Sequence, residues 1–308
     1  MKQLRYRLLD VFSNRAFGGN QLAVFTDAQN VSSEVMQSIA REMNLSETTF
    51  VLQPKDAAND YHVRIFTPAV ELPMAGHPTI GTTFVLARDH LVERLERITA
   101  LKLEEAVSTI AVTIEWENSH PSFIEMMQPL PTFGSRFADV GAMAEMLSLS
   151  PDAIADTNLP MEVVSCGVPF LFVPLKDLKA VRGIRFRLDV WEKVLRDFEA
   201  PHVFVFTRET EIAGSTVHCR MFAPANGIGE DPATGGASGP LGCYLVRHKV
   251  LPPARMVECV SEQGLEMARP SFIRIRIELN QEGQIIAVRV GGCCHAMGEG
   301  YLEIQESG

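Results

Sequence analysis

The strongest constraint on this chain is that it repeats itself. Arg64-Ile65-Phe66-Thr67-Pro68 returns as Arg220-Met221-Phe222-Ala223-Pro224, 156 positions on. His77-Pro78-Thr79-Ile80-Gly81 is echoed by Asp231-Pro232-Ala233-Thr234-Gly235, 154 positions on, so the intervening loop is two residues shorter in the second copy. Half of the 308-residue length is 154. Solenoid repeats have periods of about 20–50 residues, far below this spacing. The pattern predicts a duplicated domain whose two halves face one another.

Both copies share a local grammar. His62 to Thr67 and Val217 to Phe222 alternate with β-forming residues and read as strands, each stopped at a proline. A polar residue followed by proline comes next, which reads as a helix N-cap with proline at the first helical position. Asp231 suits a cap chemically, whereas His77 does not, and this points to another task for His77. The helices that follow carry no charge from Pro78 to Ala87 or from Pro232 to Val246. A helix without a polar stripe must be enclosed. Gly235, Gly236, Gly239 and Gly242 each cost helix propensity of roughly 1 kcal/mol, so strands are expected to pack closely on bare backbone.

Enclosed helix starts present free N–H groups and a partial positive charge of about half a unit. One such start reads as structural. Two in a repeat, opening on one cleft, make a carboxylate site that needs no Arg or Lys. Upstream, Ser33 to Met43 reads as an amphipathic helix with Val35, Ile39 and Met43 inward, and Asn44 as its stop. Glu47 then opens a β-rich segment, Leu45 to Val51. Taken alone it reads as a solvated edge charge. Buried, its pKa would rise from about 4.3 toward neutrality, as a proton-shuttling group requires.

Composition narrows the partners. The charge is −10, from 28 basic and 38 acidic residues, which argues against nucleic acid, because phosphate binding needs a basic face. Neither a membrane-spanning segment nor a signal peptide is expected, and the six cysteines suggest no disulfide framework. The expected address is therefore a reducing cytoplasm. There is no P-loop and no H-E-x-x-H motif. Gly227-Ile228-Gly229-Glu230-Asp231-Pro232 fails as a dinucleotide fingerprint at its last position. Cys293-Cys294-His295 reads as a buried strand, and no metal site is assigned.

Several blocks resemble the phenazine-biosynthesis PhzF-like isomerases: Gly19-Asn20, Asn44 to Phe50, Arg64 to Pro68, Glu71 to Pro73, Gly76 to Gly81, Gly229 to Gly235, Gly291-Gly292 and Gly298 to Gly300. The resemblance implies an α+β, diaminopimelate-epimerase-like fold. It has two pseudo-symmetric halves, each a sheet rolled around a central apolar helix, with the active site in the cleft between them. The halves are placed at 1–125 and 126–308, with a crossover around 115–135. An alternative left open is that strand Ile285–Val290 and the tail, about 285–308, return to the first half.

The same resemblance implies isomerisation of trans-2,3-dihydro-3-hydroxyanthranilate without metal or organic cofactor, by a homodimer. The family's acid/base glutamate matches Glu47, and its supporting polar residues match His77 and Asp231. Asn20, Ser46, Gly76, Pro78, Thr79, Gly235 and Gly236 match positions that line the substrate pocket. Two departures bear on the substrate: Gln21 replaces a usual proline, and Gly236 replaces a usual serine. Related racemases place a cysteine at each helix start; here His77 and Asp231 stand there, which disfavours a two-thiol reaction. The leading expectation is a cofactor-independent isomerase of a small carboxylated substrate. The alternatives are an epimerase or racemase of an amino or hydroxy acid, and an inactive metabolite- or partner-binding member.

Overall fold

The computed structural model describes residues 2–94 and 97–304. The chain divides into two units: one runs to Met127 and takes up the chain again from Gly291, and the other is Gln128–Val290. Of the tail expected at about 285–308, residues 305–308 lie outside the described residues.

The first unit contains β1 (Lys2–Val11), β2 (Asn20–Phe25), β3 (Glu47–Leu52), β4 (Tyr61–Phe66), β5 (Glu71–Leu72), β6 (Ile98–Glu104), β7 (Thr109–Glu117), β8 (His120–Gln128) and the last strand, β18 (Cys294–Ile304). β1 is antiparallel to both β18 and β2. β2 runs parallel to β3, β3 antiparallel to β4, and β4 antiparallel to β5 but parallel to β6. β6, β7 and β8 continue as an antiparallel meander. Parallel neighbours need a crossover, and helix α1 (Ser33–Met43) supplies it between β2 and β3.

The second unit follows the same order. It contains β9 (Thr132–Arg136), β10 (Glu162–Ser165), β11 (Pro169–Pro174), β12 (Val203–Thr207), β13 (Val217–Ala223), β14 (Ile228–Asp231), β15 (Met256–Gln263), β16 (Ser271–Leu279) and β17 (Ile285–Gly292). β10 is antiparallel to β9 and β11, and β11 is parallel to β12. β12 is antiparallel to β13, which is antiparallel to β14 and parallel to β15; β16 pairs antiparallel with β15. Helices α3 (Val140–Leu147), α4 (Asp152–Ala155), α5 (Leu178–Gly183) and α6 (Leu188–Val194) close a core of Met143, Leu147, Trp191, Val203 and Val205. The repeated arginine makes the same contact in each unit. Arg64 forks onto Glu71 at 2.7 and 2.6 Å, and Arg220 forks onto Glu230 at 2.8 Å through both nitrogens.

α1 begins and ends where its residues predict, with Ser32 accepting from the Val35 amide and Asn44 left-handed at φ 50°. Its buried face is rotated from expectation: Met36, Ile39 and Ala40 are buried, while Val35 and Met43 pack at the edge of that core. The segment expected as a crossover, 115–135, is mostly the β7–β8 hairpin, and Pro121 is accommodated at a register shift in it.

Each unit holds a buried 13-residue helix, α2 (Gly76–Arg88) and α7 (Gly235–Arg247). Neither starts where a proline-at-first-position reading puts it. Ala75 caps α2, so His77 lies inside the first turn. Asp231 ends β14, paired with Met221, and α7 starts four residues later after Thr234. The physical reason is Gln263, which donates to the Asp231 carbonyl and accepts from the Thr234 amide, holding Asp231–Thr234 outside the helix. The expected close approach is real at Gly242, where an added Cβ would meet Ile275 Cγ2 at 2.5 Å and Ile277 Cδ1 at 2.9 Å. Gly242→Ala is expected to lower unfolding free energy by about 1–3 kcal/mol through overpacking, read as a drop in denaturant midpoint at constant slope.

Candidate active site

In the first unit the sequence-predicted groups come together at the start of α2. Glu47 is the first residue of β3, opposite Leu22 on the parallel β2. His77 is the second residue of α2, and Asn20 opens β2. All three are buried, with Glu47 7%, His77 3% and Asn20 1% exposed. Glu47 Oε2 lies 3.2 Å from His77 Nε2, and Asn20 Nδ2 lies 3.2 Å from His77 Nδ1. Thr49, two residues along β3 from Glu47, shares a 2.8 Å hydrogen bond with Thr82 of α2. The strand bearing the carboxylate is thus fastened to the helix bearing the imidazole.

Electrostatics define the state of the pair. Burial pushes His77 down to about 3, against a hydrogen bond with the Gln21 backbone that works the other way. The imidazole is neutral at physiological pH and carries one N–H. Nδ1 faces Asn20 Nδ2, and Nε2 faces the Glu47 carboxylate. The 3.2 Å approach misses good hydrogen-bond alignment, and His77 Nε2 has no other partner among the described residues. The pair therefore presents a buried carboxylate and a neutral imidazole nitrogen side by side.

Ser46 precedes Glu47 and is half-buried; Gly76, Pro78 and Thr79 form the rest of the first turn of α2 and are buried. In the second unit, Asp231 is buried and its Oδ2 accepts from Thr234 Oγ1 at 2.5 Å. Gly235 and Gly236 form the first turn of α7, and Gln128 Nε2 donates to the Gly235 carbonyl at 2.9 Å. Sequence reasoning passed over Gln263, Gln128, Thr49 and Thr82. A Gln-Gly pair at a strand end and threonines in a helix carry no local signal of their partners.

The cysteines do not take the places of acid and base. Cys219 lies on β13 and Cys243 within α7, and burial raises the Cys219 thiol far above the physiological range. One histidine elsewhere is held between two carboxylates instead. His218 of β13 is fully buried, with Nδ1 2.8 Å from Glu262 and Nε2 2.9 Å from Glu266. Burial alone would lower its pKa; the hydrogen bonds to the two carboxylates outweigh it and raise it. Glu211, His218 and Glu266 place their ligand atoms within 4.8 Å of one another. Both ring nitrogens are already bonded to carboxylates, so the cluster is accounted for as a charge-paired brace between strands.

The family described as phenazine biosynthesis-like protein, PhzC-PhzF, matches residues 9–300. The chain belongs to that family and is an enzyme of the isomerase class. A trans-2,3-dihydro-3-hydroxyanthranilate isomerase from Pseudomonas aeruginosa is 37% identical over 97% of this chain and 99% of its own length. A crystal structure of the Bacillus anthracis phenazine biosynthesis protein of the PhzF family is similar at a TM-score of 0.89 and 27% identity, covering 99% of this chain and all of that one. A hydroxyproline epimerase from Agrobacterium vitis shares the fold at a TM-score of 0.65 and 10% identity, over 97% of this chain and 92% of the other. No helix among the described residues is long and apolar enough to cross a membrane.

Proposed function

We propose that this protein is a cofactor-independent isomerase of a small carboxylate-bearing substrate, with Glu47 as the group that moves the proton. The Glu47 carboxylate takes a proton from an activated carbon, and the electron pair of that C–H bond enters the conjugated system. The proton then returns to another carbon of the same system, so no oxidant or reductant is consumed. His77 holds the substrate through its imidazole. N–H groups at the start of α2, including Gly76, bind the carboxylate. Asp231 serves as the second polar group, and Asn20, Ser46 and Thr79 shape the pocket.

The observation that carries the reading is the buried Glu47–His77 pair at 3.2 Å, with the imidazole neutral. The activity of the Pseudomonas relative supplies the first compound to try. Duplication of one design in the two units, assembly as a homodimer and a cytoplasmic address belong to the same proposal. The test offers trans-2,3-dihydro-3-hydroxyanthranilate and a panel of small conjugated acids to chelator-treated protein and follows products by NMR. A shifted double bond with full turnover supports the proposal; inversion at a stereocentre without such a shift would replace it with an epimerase. Asn20→Ala is expected to lower kcat/KM about tenfold or more, since losing the side-chain amide beside His77 Nδ1 costs about 1–3 kcal/mol. An unchanged kcat/KM would show that Asn20 has no part in orienting the ring.

A further inference from the structure

Glu105 takes no part in the proposal above. It follows β6 in the turn to β7, where its amide donates to the Ser108 carbonyl and the Val107 amide donates to the Pro73 carbonyl, both at 3.0 Å. The turn is therefore tied to the segment that enters α2. The Glu105 side chain makes a second tie. It is 4% exposed, with Oε1 2.5 Å from Thr79 Oγ1 and Oε2 buried without a hydrogen-bond partner.

Thr79 Oγ1 also lies 2.7 Å from the carbonyl of Ala75, the residue that caps α2. A hydroxyl has one hydrogen and a carbonyl can only accept. If that hydrogen goes to Ala75, only a protonated Glu105 can supply the hydrogen for the 2.5 Å contact. If it goes to Glu105, the Ala75 carbonyl loses it, and the ionised carboxylate keeps an unsatisfied buried oxygen. Leaving a buried charged group half-solvated is the more costly arrangement.

We infer that Glu105 is held as a neutral carboxylic acid and acts as a positioning residue for the first turn of α2, donating to Thr79 so that Thr79 stays bonded to Ala75 and His77 stays in place. The functional consequence rests on the role given to His77; the protonation itself does not. Burial pushes the Glu105 carboxyl up to about 8, opposed by the Thr79 contact, and no charged side chain contributes to the shift. The charged groups on the neighbouring elements are accounted for separately. His77 on α2 is neutral, burial lowers His62 on β4, and Arg64 on β4 pairs with Glu71 on β5. Glu104 on β6 accepts from the amides of Lys55 and Asp56. Arg88 in the last turn of α2, Lys102 on β6 and Glu115 and Glu117 on β7 complete the charged residues of these elements.

The sign of the linkage follows. The folded pKa lies above the unfolded value of 4.5. Between about 4.5 and about 8 the unfolded chain releases a proton that the folded chain keeps, so this group's contribution falls as pH rises, by up to about tenfold in folding constant per pH unit. Glu105→Gln preserves a donor and an acceptor and is expected to remove that slope.

The test uses full-length protein labelled with 13C at glutamate side-chain carboxyls and follows NMR shifts from pH 5 to 9. One carboxyl resonance, absent from E105Q, is expected to titrate with a midpoint near 8. The His77 ring signals are expected to move with the same midpoint in the wild type and to stay still in E105Q. A Glu105 midpoint below about 6 would overturn the neutral acid, and unmoved His77 signals would overturn the positioning role. If E105Q fails to fold, Glu105→Asp assigns the resonance instead. No substrate is needed, so a protein that turns over nothing defeats the proposed function while leaving this result readable.

Discussion

Glu47→Gln is expected to fold as the wild type does and to lose isomerisation by about 10²–10⁴-fold in kcat, the range that a positioned acid/base group supplies. The substitution keeps size and hydrogen-bonding capacity at a buried position opposite Leu22, so packing changes little. What disappears is the ability to accept a proton beside the neutral His77 imidazole. Steady-state kinetics with a thermal midpoint measured on the same sample separates the two effects. Activity within tenfold of the wild type, in a protein of unchanged stability, would remove Glu47 from the chemistry.

The largest stability effect is expected at His218. Replacing it with alanine takes from Glu262 and Glu266 the imidazole that both carboxylates hold, and breaking a buried pair from one side costs about 3–5 kcal/mol. The cost has a pH signature. His218 has a raised folded pKa, so its contribution is complete below the unfolded value near 6.5 and is lost as pH rises through the folded value. Glu266 is lowered: burial alone would raise it, and the His218 hydrogen bond outweighs that. Its contribution is present above about 4.5 and is lost as pH falls through its folded value. The brace is therefore fully formed between about pH 4.5 and 6.5. Urea unfolding of the wild type and His218→Ala across pH 4–9 should show the largest difference in that window. A difference below about 1 kcal/mol there would contradict the account.

Much of this was legible in the residues. The Ser33–Met43 helix and its Asn44 stop were legible because a left-handed asparagine acts locally. The uncharged helices were recognisable as enclosed, and the repeated Arg-x-Phe-x-Pro blocks fall at the same step of the strand order in the two units. Glu47 and His77 stood out as residues badly suited to a purely local role, and the fold brings them within 3.2 Å.

The failures share one cause, which is that a distant partner outweighed a local preference. Asp231 has good capping chemistry, but Gln263, thirty-two positions away, holds it in the strand. In the segment expected as a crossover, 115–135, Pro121 fits a hairpin because the register shift there spares its missing N–H.

The central claim is that Glu47 breaks a C–H bond and a proton is returned elsewhere on the same skeleton. Substrate deuterated at the reacting carbon tests it most directly, with the product followed by NMR. The account predicts a primary isotope effect on kcat/KM, complete loss of deuterium from that carbon as the double bond shifts, and no such loss with Glu47→Gln. A rearranged product in which the original carbon keeps its deuterium would contradict it.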